Sequence, residues 1–249
     1  NPMKTIRDEN LKTLKGRTKI EYIWDYYKLP LAILGVLLYI LAYILYGHFT
    51  ARDPVLYVAL VNVNAGGNLK KGLGEDFLGH RNLNPSKNKL ELYTGLYLTD
   101  DELNENHQYT YASRMKILAV IDGELLDVVL MNKEAFDAFS QNGYLYDLED
   151  FLPQADSGLY DTIKPDLAAN IVILEDNQEE LLFDSSASYH AVTEEHYYGI
   201  DLSRTTLIDS AGFHEPVYFG IVANSPRTDN AVEYLKYLYN YESSGSDIQ

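Results

Sequence analysis

The chain has 249 residues, a size typical of one domain or of one domain with a small addition. Cysteine is absent, which excludes disulfides, thiolate metal sites, a cysteine nucleophile and a lipidated N-terminal cysteine. The formal net charge of −17 at pH 7 argues against non-specific nucleic-acid binding, because such binding needs a basic surface that displaces counterions.

Charge is unevenly distributed along the chain. Residues 1–28 carry seven basic and four acidic side chains, a net charge of +3, whereas residues 29–249 carry a net charge of −20. Residues 29–51 contain no charge, and a helix needs about 20 apolar residues to span the hydrocarbon core of a bilayer. We therefore predict a basic cytoplasmic segment (residues 1–28) and a transmembrane helix (residues 29–49) with Pro30 in its first turn.

The flanks of the apolar stretch predict its orientation. Aromatic rings, which prefer the headgroup layer, bracket it: Tyr22, Trp24, Tyr26, Tyr27, Tyr46 and Phe49. Because the basic flank precedes the span, the positive-inside rule predicts a single-pass protein of the cell membrane, with a cytoplasmic N-terminus and an extracellular domain at residues 53–241. A buried core helix is one alternative, although it would rarely lack a polar stripe. A cleaved signal peptide is another, but no convincing small-residue cleavage site follows.

The outer region begins with alternating strands and helices. The apolar, β-branched run at residues 55–63 predicts a strand that is buried on both faces. Helical patterns at residues 69–78 and 111–119 alternate with strand patterns at residues 89–99 and 125–131, and a helix then begins at Asn132 as N-cap and ends at Gly143. This βαβαβα order predicts an α/β domain with a mostly parallel sheet.

The second half of the outer region has a different pattern. Residues 155–166 predict a loop with a short helix, residues 171–174 and 180–183 an antiparallel hairpin, and residues 189–192 and 197–200 two further short strands. Residues 217–223 predict a strand, after which Ser225 and Pro226 have the pattern of a helix cap and first helical residue. We predict a disordered tail at residues 242–249.

Two stretches resemble extracellular solute-binding proteins. Residues 127–153 are similar to the segment in which a strand leads into a helix and then into a turn of glycine, an apolar residue and Asp-Leu; residues 217–238 are similar to the strand and helix near the C-terminus of that family. Together they cover less than a quarter of the chain. The resemblance implies the type 2 periplasmic-binding-protein-like fold in a reduced, membrane-anchored form. The layout is also similar to small membrane-tethered proteins of Gram-positive anaerobes.

The resemblance implies binding without catalysis. The function that the resemblance implies first is that of an accessory or substrate-binding subunit of an ABC-type transporter, tethered in the lipid bilayer beside an ABC permease. Anchoring beside the permease makes a weak affinity for it sufficient. The alternative is an interaction or scaffold domain that docks on another membrane protein, which the outer negative charge would steer towards a cationic patch. Because the sequence lacks a phosphate loop, a nucleophile elbow and a zinc-protease motif, we predict no enzyme activity and no cofactor.

Polar residues follow the predicted parallel strands at their carboxyl ends, where ligands bind in such sheets. With two tyrosines that suit a cleft, we predict ligand contact from eight residues: Asn62, Asn64, Thr99, Asp100, Asn132, Tyr197, Tyr198 and Asn224. Asn224 comes from the resemblance, since it follows the strand that crosses between lobes in that family. Helix capping competes as the explanation for Asn132, and core packing for the tyrosines.

His190 and His196 lie near Glu194 and Glu195 in the sequence, and these residue types bind divalent metals. A solvated loop with histidines at a strand edge explains the same residues better, because a zinc site needs further ligands and supporting hydrogen bonds. We therefore predict no metal site.

Overall fold

The computed structural model describes residues 17–101, 105–184 and 186–240, with the backbone alone for residues 17–27. It divides into two compact units, Asn1–Ala51 and Arg52–Gln249. The first sixteen residues of the predicted cytoplasmic segment and the predicted tail at residues 242–249 lie outside the described residues.

The first unit contains a long helix, α1 (Arg17–Thr50). Its portion Lys28–Thr50 comprises 23 residues, is apolar enough to cross a membrane and is not buried by protein, which is consistent with single-pass membrane anchoring. Pro30 lies inside α1, so our placement of it in the first turn was wrong. Neither glycine nor proline interrupts residues 17–29, and the helix continues back through them at the cost of the hydrogen bond that Pro30 cannot donate.

The second unit is built on a six-stranded sheet with the spatial order β2–β1–β3–β6–β5–β4. Its strands are β1 (Asp53–Val61), β2 (Asn88–Leu96), β3 (Val128–Met131), β4 (Leu167–Asp176), β5 (Ala191–Asp201) and β6 (Tyr218–Ile221). The β1–β2 and β1–β3 pairs are parallel, whereas the β3–β6, β6–β5 and β5–β4 pairs are antiparallel. The sheet is therefore mixed and mostly antiparallel, and our prediction of a mostly parallel sheet was wrong.

Helices connect and cover the strands. They are α2 (Gly67–Leu73), α3 (Glu75–His80), α4 (His107–Asp122), α5 (Lys133–Gln141), α6 (Leu148–Ala155), α7 (Ser157–Ile163), α8 (Gln178–Phe183), α9 (Thr206–Ala211) and α10 (Thr228–Asn240). Short 3-10 turns occupy Lys164–Asp166 and Leu202–Arg204. The α/β class and the opening βαβαβα order are confirmed.

Three predictions for the second half were wrong. Residues 180–183 belong to helix α8, where Glu179 and Glu180 occupy the first turn and favour the positive end of the helix dipole. Residues 189–192 and 197–200 were predicted as two strands, but β5 is one strand that pairs along β4 from Ala191 to Ile200. Helix α10 begins at Thr228 and not at Pro226.

Side chains of β1 alternate between two cores. Leu56, Val58 and Leu60 belong to a core that also receives residues of α2, α3, α6, α7, α9 and α10. Ala59 and Val61 belong to a second core, which receives residues of α4 and α5. Helices therefore cover both faces of the sheet, as in a three-layer α/β domain, and this explains why β1 is apolar on both sides.

A buried carboxylate joins β1, β3 and the start of α10. Asp127 is fully buried, and its Oδ2 accepts hydrogen bonds from the Tyr57 backbone N–H at 2.8 Å and from Arg227 Nε at 2.9 Å. Its Oδ1 accepts from the Ser225 hydroxyl at 2.6 Å, and Ser225 Oγ in turn accepts from the Arg227 backbone N–H at 3.1 Å. Ser225 thus binds both Asp127 and the backbone of Arg227, the residue directly before α10, which explains why the helix begins at Thr228 and not at Pro226.

Candidate functional site

Two of the predicted ligand asparagines join the carboxyl ends of the parallel strands. Asn62, at a positive φ of 57°, donates through Nδ2 to the Leu98 carbonyl at 2.7 Å and to Asn132 Oδ1 at 3.1 Å. Its Oδ1 accepts from the Leu98 backbone N–H at 2.8 Å. Asn132 Oδ1 also accepts from the Ala135 backbone N–H at 3.0 Å, which confirms the predicted N-cap of α5. Both amides therefore have structural partners.

Thr99 and Asp100 lie beside this junction, in the loop after β2. The Thr99 hydroxyl donates to Glu134 Oε1 at 2.6 Å, and the Asp100 backbone N–H donates to the same oxygen at 3.1 Å. The Asp100 carboxylate pairs with Arg114 Nη2 at 3.1 Å, with both side chains more than half exposed. These contacts hold the loop against α4 and α5 and leave Asp100 open to solvent.

The other four predicted residues do not join this group. Asn64 is exposed, and Tyr197 and Tyr198 lie on β5, where Tyr198 is buried and Tyr197 is partly exposed. Asn224 lies at the opposite end of the sheet, because β6 runs antiparallel to β3 and its carboxyl end therefore neighbours the beginning of β3. Its Nδ2 donates to the Ile121 carbonyl at 2.7 Å. Ligand contact by the eight residues stays a prediction.

His196, on β5, lies between two carboxylates, those of Glu194 on the same strand and of Asp147 at the start of α6. Its Nε2 is 3.3 Å from Glu194 Oε2, and its Nδ1 is 2.7 Å from Asp147 Oδ2. Hydrogen bonding to Glu194 and to Asp147 raises the pKa of His196, against a lowering by burial. The described residues contain no group of three His, Asp or Glu side chains with the arrangement of a metal site.

A groove of about 660 Å³ runs between α4, α5 and the end of β4. Its floor is apolar, with Leu98, Ile117 and Phe139 all buried. Its polar lining comprises Asp100, Arg114, Gln141, Asn142, Tyr144, Glu175, Asp176 and Gln178. The volume is within the range of sites that bind small molecules. Among the predicted ligand residues, Asp100 alone lines this groove.

We define the arm as residues 167–201, which comprise β4, α8 and β5. β5 pairs with β6 through Ile200 and Asp201 alone, whereas it pairs with β4 along most of its length. A hydrogen bond of 2.8 Å from Asn170 Nδ2 to Asp137 Oδ1 fastens the arm to α5. Its sequence contains eight acidic residues and neither lysine nor arginine. With histidine neutral, the arm therefore carries a net charge of −8, nearly half of the chain's −17, although Asn170, Tyr198 and Ile200 within it are buried.

The tip of the arm exposes apolar side chains. We define it by Leu174, Leu182, Phe183, Tyr189 and Val192, which are 52%, 82%, 92%, 51% and 54% exposed. None of the six residues of α8 is buried. Soluble surfaces carry isolated apolar residues routinely, but a concentration of large ones rimmed by polar groups marks an interaction site.

The tip was missing from the predicted site residues. Predicting residues 180–183 as a strand of a sheet implied burial of one face, whereas in α8 Leu182 and Phe183 face water. The signal in the sequence is a run of apolar residues inside a stretch that carries acidic residues and no basic ones.

Comparisons of the chain with protein-family models, with curated proteins and with solved structures gave no match. The resemblance to extracellular solute-binding proteins therefore stays a prediction. A functional proposal therefore depends on the charge and exposed apolar residues of the arm and on the lining of the groove.

Proposed function

We propose that this chain is a membrane-anchored, non-catalytic docking protein whose outer domain binds another membrane protein through the tip of the arm. The main support for this proposal is the exposure of the Leu182 and Phe183 side chains, at 82% and 92%. Full burial of such a side chain contributes about 1.5–3 kcal/mol, and this chain leaves most of that contribution unused at two adjacent positions. A partner that covers both side chains recovers it, as aromatic and aliphatic anchors do in protein interfaces.

The membrane anchor supports the same function. Helix α1 ends at Thr50 and β1 begins at Asp53, so two residues separate them. In this proposal the second unit lies outside the cell, as the positive-inside rule predicts. Two proteins held in one membrane meet at a raised effective concentration, and an interface as small as the tip then suffices.

Site-specific crosslinking tests the proposal. A photo-crosslinking amino acid replaces Phe183 in the full chain, and the variant is expressed in the cells that naturally produce this protein. We expect a discrete crosslinked adduct with a membrane protein. The same amino acid at Asp161, an exposed position on α7, is the control. Identical adducts from both positions, or no protein adduct from position 183, would contradict the proposal.

The groove favours a second candidate, the solute-binding subunit of an ABC-type transporter. Its volume of about 660 Å³ suits a small solute, and the predicted ligand residue Asp100 lines it beside Arg114. A solute that binds only the native state raises its stability by about 2.7 kcal/mol at a concentration of one hundred times Kd. A thermal-shift screen of the full chain against amino acids, sugars and peptides tests this candidate. A stabilising solute whose effect disappears in Arg114→Ala would favour it over docking.

A further inference from the structure

We infer that the partner presents a cationic and apolar segment, which binds across the tip and into the groove beside it. This inference rests on the proposed docking function. Among the described residues that line the groove, Arg114 is the single cation, and it pairs with Asp100 at 3.1 Å. Glu175 and Asp176 line the groove and belong to the acidic arm. The field at the groove is therefore negative and favours cationic groups.

The floor of the groove and the tip are apolar, so the segment that binds them must also carry apolar side chains. Leu98, Ile117 and Phe139 form the floor, and Leu174 both lines the groove and is 52% exposed as part of the tip. Leu174 thus connects the two surfaces. Arginine and lysine satisfy both demands at once, because their hydrocarbon stems cover apolar surface while their charged ends reach carboxylates.

Two other possible occupants of the tip and groove are less compatible with the negative charge of this surface. A second copy of the chain carries the same net charge of −17, and like charges placed together across an interface cost several kcal/mol. An anionic bilayer surface is also disfavoured, because helices that lie on membranes carry lysine and arginine, whereas residues 167–201 carry neither. A basic, apolar protein segment is the occupant that the charge favours.

Defined peptides test the inference directly. The full chain is placed in nanodiscs of neutral phosphatidylcholine, and binding of three labelled peptides of equal length is measured by fluorescence anisotropy. One peptide combines Arg with Leu and Phe, the second replaces its Arg by Glu, and the third replaces its Leu and Phe by Ser. We expect binding of the first peptide alone. Raising the salt from about 0.1 M to about 1 M, which shortens the Debye length from about 10 Å to about 3 Å, should weaken it.

Charge reversal locates the contact. We expect Glu175→Lys/Asp176→Lys to weaken binding of the Arg peptide about tenfold, because two attractive contacts become repulsive. The matched control is Asp161→Lys/Glu215→Lys, which makes the same change in net charge at exposed residues outside the groove and should leave the affinity unchanged. Melting curves of both variants show whether each is folded.

Several results would overturn the inference. They are equal binding of the Glu or Ser peptide, equal loss of affinity in the two double variants, and self-association or binding to phosphatidylglycerol vesicles that Phe183→Ser abolishes. Failure of the inference is distinguishable from failure of the proposed function. If the adduct from position 183 forms in cells and Glu175→Lys/Asp176→Lys does not reduce it, docking stands and the cationic partner does not. If no adduct forms, both fail.

Discussion

Replacing Asp127 by alanine removes the acceptor of three hydrogen bonds in the interior of the second unit (residues 52–249). The side chain of Asp127 is 0% exposed and that of Arg227 is 24% exposed, so the guanidinium loses its carboxylate partner in a largely dry position and keeps its hydrogen bond to the Glu124 carbonyl. Removing one member of a buried ion pair costs about 3–5 kcal/mol, and because Arg227 regains some water we expect the lower end, about 3 kcal/mol. For a domain of this size that corresponds to a decrease in Tm of about 6–12 °C.

A matched surface pair provides the control for this prediction. Lys89 and Glu91 pair at 2.7 Å, but their side chains are 41% and 36% exposed, so we expect Lys89→Ala to cost at most about 1 kcal/mol. Urea unfolding of the full chain in mild detergent, followed by circular dichroism, gives both free energies of unfolding. Equal costs for Asp127→Ala and Lys89→Ala would refute the claim that Asp127 fastens β1, β3 and α10 together.

Three further predictions concern the scaffold. Since the folded state raises the pKa of His196, that residue adds stability below its unfolded pKa of about 6.5 and loses this contribution as the pH rises through the folded value. The difference in Tm between the natural chain and His196→Gln should therefore shrink from pH 6 towards alkaline pH, and a constant difference would contradict the ion contacts. In Gly199→Ala the new Cβ lies 2.7 Å from Phe136 Cζ, so we expect a loss of about 1–3 kcal/mol in urea unfolding, and a neutral effect would show that the ring moves freely. Asn62→Ala removes three hydrogen bonds at a position with positive φ, so we expect the free energy of unfolding to fall by about 2 kcal/mol in the same assay. An unchanged free energy would instead fit a residue whose side chain serves only to bind a ligand.

Local signals predicted the first half of the second unit well. The apolar run of β1 and the N-cap at Asn132 depend on residues close in sequence, and the structure contains both. The apolar stretch of α1 likewise needs no tertiary information, since length and composition alone define a helix that can span a membrane.

Long-range contacts explain what sequence patterns missed. Strand direction in the second half depends on which neighbour each strand pairs with, and a short apolar run such as residues 181–183 fits a helix and a strand equally well. The reversed direction of β6 moved Asn224 to the end of the sheet away from Asn62. The groove joins Ile117 of α4 to Glu175 of β4, and no periodicity within either element brings them together.

In the proposed function the tip of the arm serves binding and not folding. The most direct test is one pair of measurements on Leu182→Ser/Phe183→Ser in the full chain, namely its melting temperature and the membrane protein that it retains on purification from native membranes. Because both side chains are largely exposed, we expect an unchanged melting temperature together with loss of the protein retained by the natural chain. Retention of that protein, or a fall in melting temperature as large as that of Asp127→Ala, would contradict the proposal.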